Sequence, residues 1–307
     1  MMRSKRNVKL IFLMGLGIIV VSSLVFNSDL SINLRTNNNL GLDDQILKTS
    51  KISGKIHING NADWVDFKNA GNCTGSGTSS DPYLIEDLVI DAEGVGSCIF
   101  IENCNVDFLI LNCTLTNSEG VWNTDLDGGI KLINTSNAKI INNTANNNNF
   151  ALYADQCNNT VVIGNTFANR YGIRVISCNN FLAYFNDLHN GQFNLFFFLS
   201  TCRFYSEQKF VYRYGENRYK NYIGNHWNDY VQNYHGTDDN NDGIGDVPII
   251  YTDSTIDEVD MTPLFYSIDN YEIIGIATED AIPGFNLLLL VGIISIISIF
   301  IVKKVRK

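Results

Sequence analysis

Between Ile99 and Leu188, apolar and polar residues alternate in short runs, and the runs recur. Four stretches align: ILNCTLTN from Ile110, IINNTANN from Ile140, VIGNTFAN from Val162 and AYFNDLHN from Ala183. Their fifth positions are Thr114, Thr144, Thr166 and Asp187, so the gaps are 30, 22 and 21 residues. Each stretch follows a second apolar piece: CIFIENC, GIKLINT, FALYADQC or YGIRVISC. A unit therefore reads as a strand, a short polar turn, a second strand and an Asn-rich turn, with no helical period. Ile130 and Leu132 align with Leu152 and Ala154, and with Ile173 and Val175, on the inward side. Lys131, Tyr153 and Arg174 hold the outward slot between them.

A unit of 21 or 22 residues without a helix cannot bury its own apolar face and must stack on its neighbours. The expected fold is all-β, a right-handed parallel β-helix in which each unit is one coil. Leucine-rich repeats need consensus leucines and a helical half; a β-sandwich needs hairpin turns. Stacking places like residues in columns about 4.8 Å apart. Asn143, Asn165 and Asn186 form one such column, where amides bond along the stack. Cys157 and Cys178 form another, above Thr135 and Cys104. Parallel Cβ vectors suit disulfides poorly, so these cysteines are expected as buried thiols. No proline occurs between Pro82 and Pro248, as a continuous ladder requires. From Asn190 to Tyr222 the text is aromatic-rich and departs from the spacing.

GSGTSSDPYLIEDLVIDAEG from Gly75, the Asn-rich repeats, GNHWNDYVQNYHGTDDNNDGIGDVPIIY from Gly224 and DMTPL from Asp260 together resemble NosD-like right-handed β-helix proteins. The resemblance runs from about Lys55 to Leu264. It implies the same fold and, as a remote alternative, a role in copper-site maturation.

The flanks predict a compartment. Leu10 to Phe26 is apolar behind four basic residues, which reads as a signal peptide or signal anchor over 1–27. A polar linker is expected over 28–54, the β-helix with its caps over 55–265, and a second linker over 266–284. Phe285 to Val302 carries no charge and is long enough to span a bilayer, with a basic cytoplasmic tail at 303–307. Pro283-Gly284-Phe285 before that helix is similar to the PGF-CTERM type of archaeal surface-sorting signal. That similarity implies a sorting enzyme that replaces the tail with a lipid anchor. The middle is then on the extracellular face of the cell membrane. Fourteen bases against 32 acids remain between the basic ends, which repels phosphate backbones and excludes nucleic acid as partner. Five sequons, at Asn72, Asn112, Asn134, Asn142 and Asn158, are glycosylation candidates.

Three groups carry candidate chemistry. Asp238, Asn240, Asp242, Ile244 (through its carbonyl) and Asp246 alternate oxygen ligands around Gly243, as calcium requires. The twelfth loop position is Ile249 rather than a glutamate, and a later acid such as Asp260 is a candidate to replace it. The role expected for calcium is structural, closing the C-terminal cap. Lys131, Tyr153 and Arg174, with Asp155 beside them, form an outward column suited to a polysaccharide or other glycan. Asp125 and Asp127 lie in the long loop of the 30-residue unit and are expected to overhang it. Asp155 has Ile133 and Ile176 as neighbours, so that column gathers no pair of acids and the reading leans away from catalysis. The alternative is a polysaccharide lyase or hydrolase. Tyr212, Tyr214, Tyr219, Tyr222, Trp227, Tyr230 and Tyr234 either stack on sugars or cover the open end of the solenoid. His226 and His235 are close in sequence, without the soft ligands copper favours.

Overall fold

The computed structural model describes residues 51–119, 126–250 and 260–277. The expected signal, membrane helix, sorting tail and basic tail lie outside these residues, as does Asp125. Among the described residues no helix is long and apolar enough to cross a membrane.

The chain is mostly β and winds through three parallel sheets of seven, six and six strands. Each regular coil gives one strand to each sheet. One coil runs Thr144–Asn146, Phe150–Asp155, Asn158–Ile163; the next runs Thr166–Ala168, Tyr171–Ile176, Asn179–Tyr184. Parallel stacking of this kind is consistent with a parallel β-helix. The register is the one the repeats predict. Thr144 pairs with Thr114 and Thr166, and Thr166 with Asp187. Leu152 lies between Ile130 and Ile173, and Tyr153 between Lys131 and Arg174. Inward side chains such as Ile130, Leu152 and Ile173 are fully buried in one continuous core. The coil differs from the expected unit in one respect: it has three strands, because TLT, TAN and TFA pair as strands rather than belonging to the Asn-rich turn.

The three corners explain the composition. At the first, the side-chain oxygen of each asparagine accepts the backbone N–H of the one before: Asn143 from Cys113, Asn165 from Asn143, Asn186 from Asn165, Asn225 from Asn186. Their amide groups donate to carbonyls, as Asn165 does to Ile140 and Ile163. Buried turn groups with no strand partner are satisfied in this way. A second ladder, Asn148, Asn169, Asn190 and Asn194, does the same at the next corner. The third corner stacks Thr135, Cys157, Cys178 and Ser200. All seven cysteines are free. Burial pushes Cys98 and Cys113 up to about 11, so they stay as thiols. Asparagine also occupies left-handed turn positions, among them Asn112, Asn142, Asn147, Asn159 and Asn180, where its short polar side chain is tolerated. Two of the sequon asparagines, Asn112 and Asn142, thus sit in the turn before the buried ladder without being buried themselves.

The ends are closed differently. Helix α1 (Asn61–Asn69) places the buried Trp64 against Tyr83, 5.0 Å away and nearly coplanar, and against Phe108. At the other end the aromatic-rich stretch keeps the register further than its text suggests. Phe193–Phe198 and Cys202–Arg203 continue their sheets, and only afterwards does the hairpin of Phe210–Tyr214 and Asn217–Asn221 interrupt the coil. His226–Trp227 then closes it beside Asp187. Part of each expected linker is structured. Lys51–Ser53 pairs with Leu88–Asp91, and Tyr271–Ile276 pairs antiparallel with the hairpin. Residues 271–276 alternate weakly in polarity because they add to a small sheet outside the coils, a pairing between residues about 60 apart in sequence.

Candidate functional site

The outward column on the second sheet is continuous. His57, Phe100, Lys131, Tyr153, Arg174 and Phe196 are in register, one per coil. Lys131 lies 5.0 Å from the Phe100 ring, and the Arg174 guanidinium 5.1 Å from Phe196 and 5.8 Å from Tyr153, within cation–π range. Tyr153 points outward yet is only 3% exposed. Its hydroxyl donates to Asp155 at 3.2 Å, and burial, with the Asp155 charge, pushes it up to about 12. Its ring face is thus taken up by protein, and it orients Asp155. The large aromatics most exposed on this sheet are Phe196, 37% exposed with Arg174 over its ring, and Phe198, 47% exposed. Both belong to the stretch whose register the sequence obscures.

Beside the column lies a cleft of about 1340 Å³ at the second asparagine corner. Asp91, Glu93, Glu119 and Asp127 line it with Asn146, Asn147 and Arg170. The parallel register explains the convergence: Asp91, Thr116, Asn146 and Ala168 occupy one position on successive coils. Asp127 joins cleft to column, accepting from Lys131 Nζ at 3.1 Å and from Ser97 at 2.9 Å. The backbone N–H of Glu93 and the amide of Asn117 hold Asp91 below the usual carboxylate range. Gly94 and Gly96 have positive φ, and a Cβ at Gly96 would meet open space, so backbone conformation rather than crowding favours glycine in this rim.

The acidic loop is ordered by its own side chains. Asp238 accepts the N–H groups of Asp242 and Gly243, both at 3.0 Å, and Asp242 accepts that of Ile244 at 2.8 Å. Asn240 accepts from Asp242, and Asp246 from Asp239. The aromatic set supports the loop from beneath. Tyr212 donates to the Asp242 carbonyl and Tyr219 to that of Asn241, both at 3.0 Å. Tyr230 donates to Val247 at 2.6 Å, and Trp227 is buried in the core. Burial, and then the charges of Asp238 and Asp246, raise the carboxyl of Asp242. Asp260, the candidate for the missing loop position, is engaged elsewhere. It is fully buried and ends the first asparagine ladder, accepting from the N–H of Asn225 at 2.8 Å and from Trp227 Nε1 at 2.9 Å. The ladder recruits it because Asn225 needs an acceptor in the slot the next asparagine would fill. Burial pushes it up to about 7.

One cluster escapes the sequence reading. Asp187, His189 and His226 meet on the outer face of the seven-stranded sheet. His189 Nε2 lies 2.8 Å from Asp187 Oδ1, which His226 Nδ1 also contacts. Ser267 donates to the other carboxylate oxygen at 2.5 Å. Burial opposes ionisation of Asp187, but the hydrogen bonds from His189, His226 and Ser267 outweigh it and hold the carboxyl far below its usual range. The signal available beforehand was the break in the threonine column at Asp187. His235, the expected neighbour of His226, ends a short helix (Tyr230–Tyr234) in a left-handed turn and is exposed.

Comparison with protein-family models, curated proteins and solved structures finds no match to this chain.

Proposed function

We propose that this chain is a cell-surface protein, anchored through its C-terminal helix or a lipid, whose right-handed β-helix binds or displays carbohydrate. The observation that carries the reading is the cleft with its neighbouring column. Amides repeat along it at the coil spacing, carboxylates stand on its rim, a cation lies at its edge, and exposed aromatics lie further along the adjoining sheet. A repeating ligand such as a polysaccharide matches a repeating surface, and a net acidic chain disfavours anionic polymers. Calcium is assigned to the Asp238–Asp246 loop, where it relieves carboxylate repulsion and fixes the cap. The NosD-like resemblance and the PGF-CTERM-like tail support the surface location.

The acids of the cleft favour one second reading, a polysaccharide lyase or hydrolase. Such chemistry needs a base or a protonated acid beside a second carboxylate. Asp91 is committed as an anion and Asp127 is paired with Lys131, which supports binding over cleavage. The deciding experiment is a polysaccharide array on the full-length chain, with and without calcium, read for retention and for chain shortening. Retention without shortening, weakened several-fold by Lys131→Ala or Glu93→Ala, supports the binding role. Shortened products abolished by Glu93→Ala or Glu119→Ala would replace it with the enzyme, and no retention of any glycan would reject both.

A further inference from the structure

We propose that Asp187, His189 and His226 form a binding site for a divalent transition-metal ion of zinc-like preference. Strand alternation puts residues 187 and 189 on one face, and parallel pairing sets His226 on the next coil beside Asp187. Each side chain offers one donor atom, and the three atoms lie within 4.8 Å of one another. Two imidazoles and a carboxylate suit zinc, copper(II) or nickel, whereas the all-oxygen loop at Asp238 suits calcium. An ion about 2.0–2.2 Å from each donor takes the place of the protons now shared between the imidazoles and Asp187. Admitting it requires His189 Nε2 and Asp187 Oδ1, now 2.8 Å apart, to separate by side-chain rotation.

The surroundings fit a site rather than a chance ion pair. The Asp187 side chain is 6% exposed, and Ser267 fixes its orientation through the second oxygen, as outer partners of metal-bound carboxylates do. The His189 side chain is 42% exposed and faces solvent, which leaves an entry path. Among the described residues the ionic partners of Asp187 are these two histidines, with no lysine or arginine neutralising it. Three protein ligands leave a coordination position for water or a ligand atom.

The test is titration of the metal-free full-length chain with zinc(II) by calorimetry, and with cobalt(II) by visible absorption. The expected result is one ion per chain, with affinity reduced at least about tenfold in His189→Ala and in His226→Ala. Ser267→Ala should weaken binding by about tenfold, at the low end for an outer partner. His57→Ala and His235→Ala are the controls and should leave affinity unchanged. His189→Ala decides the matter because its side chain is half exposed and its removal leaves the fold intact, as a melting curve will verify. Absence of stoichiometric uptake, unchanged affinity in His189→Ala, or loss of uptake in either control would overturn the proposal. Glycan retention plays no part in these readouts, so this site stands or falls separately from the cleft.

Discussion

The first asparagine ladder and the acidic loop use the same chemistry in opposite settings. In both, the side-chain oxygen of Asn or Asp accepts backbone N–H groups that no strand satisfies. The ladder is buried and its members are neutral amides, which accept and donate along the stack. The loop lies near the surface, and most of its acceptors are carboxylates, which accept without donating and repel one another. An amide column therefore propagates through a core at no cost in charge, whereas an acidic loop needs water or a cation. Asp260 stands where the two meet, a carboxyl in a slot of the amide column, and its folded-state pKa of about 7 records that conflict.

The largest expected effect comes from breaking the ladder. Asn165→Ala strands the Asn143 N–H in a dry interior and takes one hydrogen bond each from the Asn143 amide and the carbonyls of Ile140 and Ile163. The cost should be at least about 3 kcal/mol, on the order of 10 °C in melting temperature. Asn240→Ala in the exposed loop should cost about 1 kcal/mol or less. Equal losses in denaturant titrations would show that burial does not separate the two regions.

Asp260 sharpens the contrast through pH. Its pKa is raised from 3.8 to about 7 on folding, so the unfolded chain releases this proton first. Its contribution to stability is therefore complete below pH ~4 and is lost as pH rises to ~7, on the order of a few kcal/mol across the window. Asp260→Asn should remove that segment of the dependence of melting temperature on pH. A slope between pH 4 and 7 that is the same in the variant and the parent would contradict the assignment.

The smallest effect concerns the loop. Millimolar calcium should raise the melting temperature by a few degrees, a chelator should reverse it, and Asp242→Asn should shrink the gain. A melt indifferent to calcium and chelator would leave the loop as a set of hydrogen-bonded turns without an ion.

Much of the coil was legible because a solenoid converts sequence spacing directly into neighbourhood. Thr114, Thr144 and Thr166, or Lys131, Tyr153 and Arg174, are adjacent in space because they are one coil apart in sequence. The second ladder was hidden in plain text. Asn148 sits in a run of four asparagines whose members differ only in which way the turn points them. The cleft needed the fold as well, since Glu93, Glu119 and Asp127 lie on loops that share no repeat position.

By itself, then, the sequence determined the stacking, the register and two of the corner columns, because each depends on a local period that every coil repeats. Tertiary structure alone decided where the period stops. It buried Tyr153, sent Asp260 into the ladder, and brought His226 to Asp187 across a hairpin insertion. Those outcomes depend on which residues face each other once a non-repeating segment has folded back, and no spacing in the chain encodes that distance.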